Sequence, residues 1–289
     1  MSVGTRRPAV AGQFYAGDAP ALLQEVDRAF TDPRGPGPPP ARPTRPVRTV
    51  RAAIVPHAGY PFSGPIAAHA FAEIAKDPPP AVVLVLGVDH HGVGTLAALS
   101  ARPWHTPLGD LSNDASLRSA LSAPPLEVDE PSHALEHSIE VELPFLQRVL
   151  PGVPFVPIQV RFASYAALER VARVVARAVE GKDVLLLAST DLSHYEPEAL
   201  AAEHDARIID RIVARDARGL YDLVVAEELS MCGIAPTTVL LQALAGEPLR
   251  ARTLRYGHSG EAARMATVVG YVSVVLETDA SPSARPPVK

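Results

Sequence analysis

One cysteine in 289 residues, Cys232, excludes an internal disulfide framework, and a reducing, cytoplasmic setting is the expectation that follows. Excess basic charge is missing too. The 27 Lys and Arg stand against 32 Asp and Glu, a net charge of −5, which gives no phosphate-neutralising surface for nucleic acid and none for an anionic membrane. No apolar run approaches the roughly 18–20 residues that cross a bilayer. Residues 1–20 hold Arg6 and Arg7 but no apolar segment behind them, so no signal peptide is expected there. No solenoid-type repeat is present. What remains is the composition of a globular protein, 47% apolar and 20% charged. The length suffices for one large α/β domain or two small ones.

Proline is abundant where chain direction matters: seven fall within PRGPGPPPARPTRPVR, residues 33–48. That stretch can be neither a helix nor a central strand and reads as an extended connection over 33–49. Residues 1–32 are too few for a core of their own and are expected to form an arm packed on the main body. The α/β domain is expected over 50–278, with 279–289 a frayed, Pro-rich tail.

Strands are predicted at 51–56, 81–87, 96–101, 155–160, 183–188 and 267–276. Several are apolar throughout, as strands covered on both faces must be. Helical spacing is predicted at 64–76, 136–150, 166–179, 197–215 and 235–245. The alternation points to a single-domain α/β sandwich around a mostly parallel or mixed sheet.

Open α/β sheets bind ligands beyond the carboxyl ends of their strands. Three predicted strands run into histidines there: Pro56-His57-Ala58-Gly59-Tyr60, Gly87-Val88-Asp89-His90-His91, and Ser189-Thr190-Asp191-Leu192-Ser193-His194-Tyr195. One histidine at a strand end is as often a loop hydrogen-bonder, but three at one edge suggest a site. Imidazole is the commonest side-chain ligand for zinc, iron, copper and nickel, and its other nitrogen needs a partner to fix the tautomer. Asp89, Asp191 and Glu136 are candidate partners or ligands, and Asp191 with His194 is a candidate general base.

The run Ser132-His133-Ala134-Leu135-Glu136-His137-Ser138-Ile139-Glu140 offers a different site. With Ser132 as cap, a helix would put His133, Glu136, His137 and Glu140 on one face. His133-x-x-Glu136-His137 then fits a zinc-peptidase pattern, although Pro144 should bend such a helix early. Cys232 precedes Gly233 and a predicted helix, a setting that favours a thiolate and metal ligation. Spacing alone does not bring it to the histidines, and a lone cysteine is otherwise a small buried apolar residue.

Taken in order, Ala11-Gly12-Gln13-Phe14-Tyr15, Val55-Pro56-His57-Ala58-Gly59-Tyr60, Gly87…His90-His91, Glu136-His137-Ser138-Ile139-Glu140, Ser189-Thr190-Asp191-Leu192-Ser193-His194 and Cys232-Gly233 resemble the Memo family. In bacteria and archaea this family is component B of the AmmeMemoRadiSam system. The resemblance runs from about residue 8 to residue 275. It implies a fold similar to the class III extradiol ring-cleavage dioxygenases, which hold Fe(II) by two histidines and a carboxylate. In the Memo family the corresponding pocket uses two histidines and a cysteine. Carried over motif by motif, the ligands are His57, His90 and Cys232, with Asp191 and His194 beside them as catalytic groups. Glu136, His137, His91, Asp89, Tyr15 and Tyr60 would line or support the pocket. Where the family has Gly-Pro-(Ser/Asn)-His-His, this chain has Val88-Asp89. Asp89 is expected either to orient His91 or to compete as an oxygen ligand. A cysteine in place of the dioxygenase carboxylate is softer and oxidisable.

Three functions follow as expectations. The first is a metal-dependent oxidoreductase using Fe(II), with copper or zinc as alternatives. In it His194, paired with Asp191, moves a proton on a small aromatic substrate, on which Tyr15 and Tyr60 stack unless they only pack. The second is a non-catalytic metal- or peptide-binding protein. Its partners, implied by the resemblance, are an AMMECR-type domain protein and a radical-SAM protein. The third is the zinc peptidase.

Overall fold

Alternate residues of the central strands feed two different cores, so each strand reads as apolar throughout. Ala52, Ile54, Leu84, Leu86, Leu186 and Ala188 face one core; Ala53, Val55, Val83, Val85, Leu185 and Leu187 face the other. The computed structural model describes residues 4–278; the tail expected at 279–289 lies outside the described residues. The first half holds α1 (Ala19–Thr31), β1 (Val50–Val55), α2 (Tyr60–Ala75), β2 (Val82–Val88), β3 (Ala97–Leu99), β4 (Trp104–Thr106), β5 (Gly109–Leu111), α3 (Ala115–Leu121), β6 (Leu126–Val128), α4 (Glu130–His133) and α5 (Leu143–Val149). The second half holds β7 (Phe155–Val160), α6 (Tyr165–Val179), β8 (Val184–Ser189), β9 (His194–Glu196), α7 (Glu198–Val213), α8 (Ala217–Ala226), α9 (Ile234–Ala243), β10 (Leu249–His258) and β11 (Val268–Thr278).

The sheet order is β10-β11-β1-β8-β2-β7-β3-β6, with β9 added to β11. The neighbours β1, β8, β2 and β7 are mutually parallel, while β11 runs antiparallel to β1 and β3 antiparallel to β7. This is a mixed α/β domain with a mostly parallel centre. The carboxyl ends of β1, β8 and β2 therefore stand side by side at one edge. Helices α6 to α9 cover one face, and α1, α2 and α5 the other.

Three elements escape the apolar-run reading. Strand β10 alternates Arg250, Arg252 and Arg255 with less polar residues, because an antiparallel edge strand keeps one face in water. Helix α1 begins at Asp18, whose carboxylate accepts the Ala21 N–H at 3.0 Å, and buries Leu22, Val26, Ala29 and Phe30. The third is a correction. The helix predicted over 136–150 does not start there: a 3₁₀ turn spans Glu140–Glu142 and α5 follows. Glu136 accepts the N–H groups of His137 and Ser138 at 2.8 and 2.9 Å, a local alternative to helix bonds. Arg6 takes the His133 and Glu136 carbonyls that a helix would use, at 3.0 and 2.5 Å. Ser132 caps nothing there; its Oγ donates to Val93 O and Asp129.

Candidate metal centre

Strand β1 runs out at Val55, and the next two residues are Pro56 and the buried His57. Strand β2 delivers His90 and β8 delivers Asp191 to the same edge. Cys232 comes from the turn before α9. There Gly233 is needed for close approach: a Cβ would lie 2.2 Å from Thr190 Cβ and 2.7 Å from Ser189 O. Gly87 has the same role below His90, where a Cβ would meet Ile139 at 2.3 Å. The donor atoms of His57, His90 and Cys232 all lie within 4.8 Å of one another. His57 Nε2 and Cys232 Sγ are 3.4 Å apart. Metal bonds of roughly 2.3 Å to sulfur and 2.1 Å to nitrogen, at a tetrahedral angle, put two such donors about 3.5 Å apart. The donor set therefore fits a transition-metal ion, and a soft thiolate with two imidazoles suits iron, copper or zinc.

The histidines are oriented by what their Nδ1 atoms touch. Ser189 Oγ lies 2.7 Å from His57 Nδ1, 2.8 Å from Ser138 O and 3.0 Å from Glu142 Oε1. The Ser138 carbonyl can only accept, so the Ser189 hydroxyl donates outward and His57 Nδ1–H donates to it. His90 Nδ1 lies 3.0 Å from Glu136 Oε1, and the His90 N–H donates to Oε2 at 2.8 Å. His194 Nδ1–H points at two carbonyls, Leu192 O at 2.8 Å and Ser230 O at 2.9 Å. In each ring Nδ1 is engaged, which leaves Nε2 as the nitrogen available to a metal or to a proton.

Burial sets the charges. His57 is held well below the ordinary histidine value by burial and by the neighbouring His137 and His90, so it is neutral. Burial likewise takes His137 down to about 4. Burial would raise Glu136, but the His90 hydrogen bond and the backbone donors outweigh it and hold the carboxyl below its usual range. Asp191 is raised to about 6 by burial, against the N–H groups of His57 and Ala58 that it accepts. Burial and Asp191 push the Cys232 thiol up, so in the metal-free site it is neutral and turned to His57 Nε2. A groove of about 460 Å³ lined by Phe162, Val224, Leu229 and Met231 runs up to Cys232; that volume suits a small ligand.

Other expected contributors sit elsewhere. Asp191 does not hydrogen-bond His194; it accepts the His57 N–H at 2.9 Å. Asp89 neither orients His91 nor faces the ligands: it accepts the Gly92 N–H at 2.8 Å and pairs with Arg161 at 2.9 Å. His91 is exposed and bonded to Leu135 O at 3.1 Å. Tyr15 and Tyr60 are each 2% exposed and offer no ring face to a substrate. Their hydroxyls go to Glu140 at 2.6 Å and Val141 O at 2.8 Å. His133 is buried against Trp104 with Nε2 on Ala98 O at 3.1 Å, so the peptidase constellation does not assemble. Glu136 and His137 instead join His90 as a second group of close donors. Sequence reasoning missed Ser138, Ser189, Glu142 and Arg6. Two of these, Ser138 and Ser189, stood inside motifs that marked the site.

A family model described as Memo-like protein matches residues 6–275. The chain is 36% identical over 274 residues to a MEMO1 family protein of Methanothermobacter thermautotrophicus, covering 92% of this chain and 98% of that one. It is 37% identical over 279 residues to a relative from Methanopyrus kandleri, covering 94% and 98%. A Thermotoga petrophila relative is 38% identical over 277 residues, covering 94% and 99%. Among solved structures, an uncharacterized protein from Escherichia coli K12 aligns with a TM-score of 0.52 at 12% identity, over 78% of this chain and 99% of that one. That likeness concerns the fold alone.

Proposed function

The chain belongs to the Memo family, and we propose that it is a metal-dependent oxidoreductase in which His57, His90 and Cys232 hold one redox-active ion, iron before copper. The observation that carries this reading is the convergence of two imidazoles and a thiol within 4.8 Å, each ring with Nδ1 on a hydrogen-bond partner. Such an ion, when bound, supplies one-electron chemistry and polarises an oxygen ligand. The protein's own part is positioning and proton transfer. His194, held by two backbone carbonyls through Nδ1, has Nε2 free to take a proton from a phenol-like hydroxyl. The groove from Phe162 to Met231 gives the apolar body of a small aromatic substrate a place beside Cys232. Asp191 fixes the backbone of His57 and faces the thiol.

The experiment is metal analysis after chelation and anaerobic reconstitution with Fe(II), and separately with copper and zinc. Wild type is expected to retain about one ion per chain, iron or copper supporting oxygen consumption, and Cys232→Ala and His57→Ala to retain little. Equal metal in wild type and Cys232→Ala would remove the ligand assignment.

A further inference from the structure

Glu142 is a buried carboxyl group with no ion pair and one hydrogen-bonding side chain among the described residues. It is fully buried, at the end of the 3₁₀ turn Glu140–Glu142, and burial raises it well above the usual carboxylate range. Its one side-chain hydrogen bond among the described residues is with Ser189 Oγ at 3.0 Å, and Oε2 has no partner among them. Two residues earlier, Glu140 binds the N-terminal arm through Arg6, Ala9, Val10 and Tyr15. Glu142 makes no hydrogen bond or ion pair with any of these. An apolar side chain would fill its space without an orphaned oxygen, and the group that Glu142 does bond is the Ser189 hydroxyl.

That hydroxyl lies at the end of β8 directly behind His57, and all three side chains are 1% exposed or less. Ser138 O takes the hydroxyl's single proton, and Glu142 Oε1 at 3.0 Å is a second polar partner on the side away from the imidazole. The hydroxyl's lone pair is left facing Nδ1–H. A serine free to rotate could present its proton to Nδ1 instead and favour the wrong tautomer, which would put a proton on Nε2. We infer that Ser189 and Glu142 form a positioning chain behind His57, which holds its ring as the Nδ1–H tautomer with Nε2 presented to the metal. The inference rests on the ligand assignment proposed above. Partners that fix ring orientation and tautomer in this way are worth about 10–100-fold in metal affinity.

The test compares wild type with Ser189→Ala, Glu142→Leu and Glu142→Gln. Chelator competition gives the Co(II) and Fe(II) affinities, and the visible bands of the Co(II)-loaded protein report the ligand field. Long-range ¹H–¹⁵N spectra of the metal-free protein report the His57 tautomer. Ser189→Ala is expected to lose about 10–100-fold in affinity with shifted Co(II) bands, and Glu142→Leu about 10-fold. Glu142→Gln, which keeps a hydrogen-bond partner for Ser189, should stay within about threefold of wild type. A merely structural role would lower the melting temperature without moving the Co(II) bands or the tautomer. If Cys232→Ala loses metal while Ser189→Ala and Glu142→Leu keep wild-type affinity, bands and tautomer, the positioning chain is wrong and the ligand assignment stands. If wild type itself holds no metal, the proposed function fails. The tautomer then decides alone: a mixed or Nε2–H form in Ser189→Ala supports the chain, and an unchanged ring overturns it.

Discussion

Glu136→Gln is the substitution that separates the orienting carboxylate from the metal ligands. Glu136 is 1% exposed and accepts four N–H groups: His90 Nδ1, His137 N and Ser138 N on Oε1, and His90 N on Oε2. An amide has one acceptor. In its better orientation Gln keeps the three bonds on the oxygen and turns an NH₂ toward the His90 N–H; in the other it loses all three. The minimum loss is therefore one charge-assisted bond, about 1.5–3 kcal/mol, together with weakening of three bonds that now reach a neutral acceptor. A total of about 2–4 kcal/mol follows, within the roughly 5–15 kcal/mol of an ordinary domain, so the variant should fold. Urea titration of the metal-free protein reads this as a lower midpoint with unchanged slope. Metal affinity should fall about 10–100-fold, because His90 loses the group that fixes its ring. A loss under about 0.5 kcal/mol, well below the value of even one such bond, together with wild-type affinity would refute the reasoning.

Two further predictions concern the frame around the site. Arg6→Ala leaves the buried Glu140 carboxylate without its cation, which costs about 3–5 kcal/mol. Urea midpoints should show it, and Arg6→Ala with Glu140→Gln should lose less than the sum of the two; strict additivity would mean the pair is not coupled. Asp205, buried in α7, accepts the Ser193 N–H and hydroxyl at 2.9 and 2.6 Å and the Tyr256 hydroxyl at 2.9 Å. Burial raises it above its ordinary 3.8 despite those bonds. A carboxyl raised in the folded state contributes stability that is fully present below pH 3.8 and lost as pH rises through the folded value. Asp205→Asn keeps an acceptor for Ser193 and a donor for Tyr256 without titrating. Its stability relative to wild type should therefore rise with pH from acid toward neutral and then level off; a flat difference across pH 3.5–8 would contradict the assignment.

What could be read from the sequence follows from how local each cause is. The strand ends at His57, His90 and Asp191 are legible because a fully apolar run that stops at Pro or at polar residues needs no long-range information. Their adjacency needs only the parallel order of three strands. The approach of Cys232 to His57, 175 residues away in the chain, is not local, and only the family resemblance pointed to it. The false helix after Ser132 had correct local signals, and it was overridden by Arg6, 127 residues from the His133 carbonyl it occupies. Asp89 looked available because its partner Arg161 lies 72 residues on. Ser189 read only as the start of a histidine-bearing strand end and Glu142 as part of the helix predicted over 136–150, since hydrogen bonds between neutral or buried groups leave no periodic trace.

The two histidines of the proposed ligand set are not equivalent, and the difference sets how an ion would be held. His57 donates to a neutral hydroxyl and is 1% exposed, whereas His90 donates to an ionised carboxylate and its side chain is 28% exposed. A negative partner at Nδ1 fixes ring orientation and tautomer, and His90, which has one, is also the histidine within reach of water. His57 forms the buried side, and the half-buried Cys232 stands between it and the groove; with the thiol pushed up, its proton leaves most readily in exchange for a metal charge. The site is therefore open past His90 as well as from the groove at Cys232, and Glu136 holds in place the more exposed of the two rings. The carboxylate belongs beside His90 for that reason, while a neutral serine suffices behind His57, where burial already excludes competing water.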